Sequence, residues 1–186
     1  SIIPLFYERD ARGMQRGWMT KVRSSLVTVA PRITAARMVR DYVTVQYLPA
    51  ARSAAAFTAD PALAGEYVDW KAAVQDAWPQ VAVREVSLEG IEGGAAATGT
   101  EVTVVADVEL GALRDTDVLI EAVLGEIDAE DEIIDPQLIP LQRGEDGRWA
   151  ARFALAAPGE VGCTVRVTPQ HPVLASRAEL GLVATA

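Results

Sequence analysis

One histidine, one cysteine, two lysines and four tryptophans are what this chain of 186 residues offers for chemistry beyond its carboxylates and arginines. His171 stands between Pro169 and Pro172, with no second base, acid or soft ligand beside it in sequence. A general base or metal ligand needs such partners, so the spacing reads as a turn residue. Cys163 lies inside an apolar strand pattern with nothing nearby to favour the thiolate, which reads as a small buried side chain rather than a nucleophile. A single cysteine also forms no internal disulfide and gives no reason to require an oxidising compartment. The acidic run Glu126-Ile127-Asp128-Ala129-Glu130-Asp131-Glu132 would attract calcium, but it lacks the glycine and the ligand spacing of a calcium loop and reads as solvated. Trp18, Trp70 and Trp78 fall on apolar helical stripes. Trp149 follows a turn on a strand and is the one aromatic considered as a sugar-stacking platform, against the plainer reading of core packing. Gly93-Gly94 and Gly144 to Gly147 are hairpin signals without the strand-to-helix switch that a phosphate cradle needs. These residues therefore yield no catalytic, cofactor-binding or metal-binding assignment.

The elements that would carry them change character near Pro79. Before it, Trp18, Val22, Leu26 and Val29 recur at spacings of four, four and three, the stripe of a helix running to Pro31. Thr34 is placed to cap a second helix whose face holds Ala35, Met38, Val39, Tyr42, Val45 and Gln46 and which Pro49 closes, with Arg37, Arg40 and Asp41 off that face. Asp60-Pro61 is a cap followed by proline at the first helical position, and Leu63, Tyr67, Trp70, Val74 and Trp78 then keep helical spacing. Ala50 to Ala56 is left open between continuation and loop.

From Val81 the period becomes two. Val81 and Val83, a shifted Val86–Leu88 run, Val102–Val104, Val118–Ile120, Leu138–Pro140, Trp149–Phe153, Val161–Val167 and Leu180–Val183 predict about seven strands. Turn clusters at Gly93-Gly94, Glu145-Asp146-Gly147 and Pro158-Gly159 separate them. The expected fold is α+β: a helical segment over residues 1–79, then an immunoglobulin-like antiparallel β-sandwich over 80–186, without the paired cysteines of antibody domains. Charge divides the same way. Residues 1–80 hold ten Lys/Arg against seven Asp/Glu, a net +3, and residues 81–186 hold seven against nineteen, a net −12, which together give −9. So acidic a second half argues against a nucleic-acid partner. No run approaches the length of a membrane helix and the first residues lack a signal-peptide pattern, so no membrane partner and a cytoplasmic location are expected.

Two runs in the first half carry a resemblance. Pro4-Leu5-Phe6-Tyr7-Glu8-Arg9-Asp10 with Arg16-Gly17-Trp18, and Arg37-Met38-Val39-Arg40-Asp41-Tyr42-Val43 with Tyr47 and Pro49 beyond, resemble the closing segment of glycogen and maltodextrin phosphorylases. Arg148-Trp149 and Gln170-His171-Pro172-Val173-Leu174 are similar to the extra C-terminal domain of the long bacterial form. The resemblance implies that the whole enzyme cleaves α-1,4-glucan with orthophosphate to give glucose 1-phosphate, using pyridoxal phosphate as a Schiff base on a lysine and its phosphate in acid/base work. It implies that the cofactor lysine sits upstream in a Gly-rich motif that this chain lacks, since Lys21 and Lys71 occupy no such setting. Its expected partner is the catalytic body of the same polypeptide, with α-glucan and phosphate as that body's substrates, and the chain alone is expected to be inactive and structural. A carbohydrate-binding accessory module is the alternative, disfavoured by an aromatic content of 6%. The apolar helical stripes need cover, from the sandwich, from the missing body or from a second copy in a homo-oligomer.

Overall fold

The structure, a computed structural model, describes residues 2–91, 95–127, 132–155 and 159–186. The Gly93-Gly94 turn, Asp128–Asp131 of the acidic run and Pro158 lie outside the described residues. The described chain divides into two compact units, Ser1–Ala51 and Arg52–Ala186.

The first unit is helical: α1 (Ile2–Tyr7), α2 (Arg16–Thr28), α3 (Ala30–Ile33) and α4 (Ala35–Tyr42), followed by a π-helical turn over Val43–Tyr47. Asp10 builds the link between α1 and α2. Its Oδ1 accepts from the backbone N–H groups of Arg12 and Met14, both at 2.9 Å, and its Oδ2 accepts from Arg16 Nε at 2.5 Å. Phe6 meets Trp18 edge-on at 5.2 Å. Thr34 caps α4 as its position suggested, accepting from Arg37 N at 3.3 Å.

The two prolines expected to end helices do not. Pro31 sits inside the short α3, with α2 already ended at Thr28. Pro49 sits inside α5 (Leu48–Ala59), directly after the π-turn. A proline inside an α-helix lacks an N–H and collides with the carbonyl four residues back. The wider turn, in which Leu48 N bonds Val43 O, makes room for the ring. It also brings Tyr42 and Tyr47, five apart, into a stacked pair with centroids 6.3 Å apart. Ala50–Ala56 thus continues a helix.

In the second unit, the last residues of α5 and helix α6 (Pro61–Ala77) pack with the sandwich. Asp60 caps α6 by accepting from Ala62 N at 3.0 Å, with Pro61 at the first turn. Val74 and Ala77 of α6 are buried, and Trp78, in the 3₁₀ turn that follows, lies against the core.

The strands are β1 (Ala82–Glu89), β2 (Ala95–Ala96), β3 (Glu101–Glu109), β4 (Val118–Ile127), β5 (Ile133–Pro140), β6 (Gln142–Arg143), β7 (Trp149–Ala154), β8 (Gly159–Pro169) and β9 (Ala184–Thr185). They form two antiparallel sheets, β1-β3-β7-β6 and β2-β8-β4-β5, with β9 paired to β8. The break between Val83 and Val86 is a register shift in β1 against β3. Alternate residues turn inward: Val102, Val104 and Ala106 of β3, Val118, Ile120, Ala122 and Leu124 of β4, and Val165 and Val167 of β8 fill the space between the sheets. Leu180–Val183, expected as a strand, is not one; residues 170–183 form turns, and pairing resumes only at Ala184–Thr185. Gly181, at φ 66, makes one of those turns, which explains why four residues with apolar character fail to extend.

Candidate functional site

One of the polar side chains that the fold buries, Asp117, stands where α6 meets the sandwich. Just before β4, Asp117 is nearly buried and ends a 3₁₀ turn. It accepts from Arg114 N at 2.9 Å, Arg114 Nε at 3.0 Å, Arg114 Nη2 at 2.8 Å and Trp70 Nε1 at 3.1 Å. The Arg114 guanidinium, against the opposing pull of burial, holds its carboxyl below the usual range. Backbone binding completes the corner, with Gln170 N donating to Asp117 O at 2.9 Å.

His171 lies beside this carboxylate, its ring 4.6 Å from Trp70 and 5.2 Å from Tyr67, which themselves stack at 5.6 Å. Its Nδ1 accepts from Val173 N at 3.4 Å. Desolvation lowers its pKa, partly opposed by Asp117 and Glu66, so the neutral ring is favoured. Tyr67 donates its hydroxyl to Glu179 Oε1 at 2.8 Å, and burial with that bond pushes the phenol up to about 12. His171 is therefore more than a turn residue: it is one leaf of an aromatic stack joining helix to sheet.

A second cluster, not singled out by the sequence reading, centres on Glu121 of β4, which is 1% exposed. It accepts from Arg166 Nη2 at 3.0 Å and from Arg177 Nη1 at 2.7 Å to each oxygen. Glu121 directly follows the Val118–Ile120 run that marked this strand. Its burial under residues 170–183 was not visible, because those residues carry no periodicity.

The remaining sequence candidates separate. Cys163 packs against the core, and burial pushes its thiol up to about 11, so the thiolate is scarce at neutral pH. Trp149 is 6% exposed and belongs to the core, as the plainer reading of core packing expected, and is not open as a sugar platform. Gly144–Gly147 closes the β6–β7 hairpin, with Gly144 N donating to Arg148 O at 2.7 Å and Gly147 at φ 84. Lys21 lines an apolar groove of about 760 Å³ with Leu5, Trp18, Val22, Leu26 and Ile33, and Lys71 is on α6. Among the described residues no group of three or more His, Cys, Asp or Glu is placed to hold a metal ion.

An open polar cleft of about 830 Å³ lies at one end of the sandwich, bordered by Gln80, Arg84, Glu109, Gly111, Asp115 and Arg143. Arg84 is paired with Glu109 at 2.6 Å and Arg143 with Asp115 at 2.8 Å, so its charges are balanced internally. Across both clusters and this cleft, the ionic groups are satisfied by one another, an arrangement suited to holding elements in place.

Comparison with known proteins adds sequence likeness. The model of the glycogen phosphorylase C-terminal domain matches residues 78–186. A glycogen phosphorylase of Mycobacterium tuberculosis (strain ATCC 25618 / H37Rv) is 39% identical over 196 aligned residues, covering 100% of this chain and 22% of that protein. A maltodextrin phosphorylase of Thermococcus litoralis is 31% identical over 98% of this chain and 21% of its own length. A glycogen phosphorylase of Aquifex aeolicus is 35% identical over 46 residues, 25% of this chain and 7% of its own length. The chain thus spans about a fifth of the length of the first two relatives.

Proposed function

This chain belongs to the glycogen phosphorylase C-terminal domain family, and from that premise we propose that it is the closing part of an α-glucan phosphorylase. The observation that carries the reading is the 39% identity running through the whole chain, including residues 1–77 that precede the matched domain. In the longer polypeptide, orthophosphate would cleave a terminal α-1,4 linkage of the glucan and release glucose 1-phosphate. Residues 1–79 are read as the helical tail of the catalytic region and residues 80–186 as its accessory sandwich.

Pyridoxal phosphate, which the family resemblance implies, is placed by this reading outside the present chain. A Schiff-base lysine needs several donors for the cofactor's phosphate, and the groove that Lys21 lines with Leu5, Val22 and Leu26 offers the one hydroxyl of Ser25, which supports that placement. The cofactor and the reacting groups are therefore assigned to the rest of the polypeptide. The role of this part is structural: internally satisfied clusters fix α6 on the sandwich, and the helical unit offers apolar faces to the catalytic body. Exposed Leu26, Ile33 and Val45, at 62%, 75% and 67%, support that partner, because isolated helices of this length do not hold such side chains in water without gain.

Glucose 1-phosphate formation from maltodextrin and phosphate, with added pyridoxal phosphate, tests the reading. The assay is run on this chain and on the polypeptide that contains it. Turnover is expected only from the longer polypeptide. Turnover by neither refutes the assignment, and turnover by this chain alone refutes its structural role.

A further inference from the structure

We propose that the irregular segment between β8 and β9, residues 170–183, is a clamp that holds helix α6 on the sandwich, kept closed by the Arg177–Glu121 pair. The proposal stands independently of the reaction assigned to the longer polypeptide. Its starting point is that residues 170–183 have no regular structure of their own. They are shaped by single turn bonds, Leu174 N to His171 O at 3.0 Å, Glu179 N to Ser176 O at 3.1 Å and Gly181 N to Ala178 O at 3.0 Å. Such a segment keeps one conformation only if its attachments to other elements hold it.

Those attachments face two ways. Toward the helices, Glu179 accepts from Tyr67 of α6, His171 packs on Tyr67 and Trp70, and Ser53 of α5 donates to Val173 O at 2.7 Å. Toward the sheet, Arg177 donates to both oxygens of Glu121. Glu179 also accepts from Ala175 N at 3.1 Å, so one carboxylate joins the helix contact to the fold of the segment itself. The same short run thus carries the grip on the helix and the grip on the sheet.

The sheet grip is the stronger of the two because of what it covers. A buried carboxylate is costly unless charged donors surround it, and Glu121 is 1% exposed. Arg166 supplies one guanidinium from the neighbouring strand; the second comes only when residues 170–183 lie down on the sheet. The exposed pairs on β1, β3 and β7, Arg84–Glu109 and Arg152–Glu101, have no such leverage, since water already solvates both partners. Among the described residues neither Arg177 nor Glu121 hydrogen-bonds to α6, so an effect of this pair on the helix passes through the segment or through β4 and the Asp117–Trp70 bond, and the exchange of β4 separates the two routes.

Amide hydrogen exchange on the whole chain tests this. Arg177→Met keeps the stem and leaves Glu121 bonded to Arg166; it is expected to raise exchange across residues 63–77 by about tenfold while β3 and β4 stay within about twofold. Tyr67→Phe, which removes the contact at the helix end, is expected to act in the same direction. Because both changes open one clamp, the double variant should exceed the larger single effect only slightly, instead of multiplying the two. Arg152→Met is expected to leave α6 unchanged. Unchanged α6 exchange in Arg177→Met, a parallel rise in β4, multiplicative effects in the double variant, or an equal response to Arg152→Met would each overturn the clamp.

Discussion

A carboxylate that accepts from a guanidinium, an indole and a main-chain N–H has no lone pair left for proton transfer, and Asp117 is such a group. Its worth is mechanical: the indole of Trp70 reaches it from α6. Trp70→Phe keeps the ring stack with Tyr67 and His171 but removes that bond, so a loss of about 1.5–3 kcal/mol is expected, the range for a hydrogen bond to a charged acceptor. Urea unfolding of the variant measures it; an unchanged midpoint would show that the indole bond is replaced by water. His171 sets the pH dependence of the same corner. Its folded pKa is below the ordinary 6.5, so below that pH the unfolded chain takes up the proton first and stability falls with falling pH. Asp117, also depressed, adds a second loss below its ordinary 3.8, where the unfolded carboxyl protonates before the folded one. Urea midpoints should therefore drop between pH 7.5 and 5.5 in the native chain, and the drop should shrink in His171→Asn. Equal drops in the two proteins would remove His171 from the account.

Among the elements, the hairpin corner after β1 depends on one glycine. Gly90 has φ 95, and a Cβ there would stand 2.5 Å from Glu101 O, a backbone atom that β3 holds in place. Gly90→Ala should cost at least about 2 kcal/mol, the left-handed penalty plus displacement of the strand; thermal unfolding against the native chain decides it. Pro49→Ala makes the complementary prediction at the π-turn. With the ring gone, residues 43–47 should relax toward α geometry and Tyr42 should lose its stack on Tyr47, seen as loss of ring contacts in NMR spectra. Persistence of the stack would mean that packing, not the proline, sets the wide turn. These elements also show what was legible. Asp60-Pro61, Thr34 and the two-residue period of β3, β4 and β8 act locally, so sequence alone revealed them. The π-turn was hidden because a proline in a helical pattern ordinarily reads as a stop. The Leu180–Val183 run misled because Gly181, at φ 66, turns the chain inside it. The Glu121 cluster joins residues 45 and 56 apart in sequence, a distance at which no spacing rule operates.

At the scale of the whole molecule, the two units differ in how completely they satisfy their own side chains. Residues 52–186 enclose a core between two sheets, and their edge strand β5 carries Pro136 and Pro140, which blunt strand-to-strand association. Their surface is acidic as well, which keeps copies apart. The helices of residues 2–47 bury no side chain among the described residues, and Ile2, Leu26, Ile33 and Val45 are mostly exposed. Family membership was legible in the short polar and aromatic runs of this same unit, Pro4 to Asp10 and Arg37 to Val43. If these apolar helical faces are covered by the catalytic body, as proposed, the chain without that body has a colloidal consequence. Sedimentation velocity on residues 1–186 should show association that grows with concentration, while residues 52–186 should remain monomeric. Association of both would place the sticky surface on the sandwich, and two monomers would mean that the apolar helical faces find cover within the chain itself, removing the argument that they await the body.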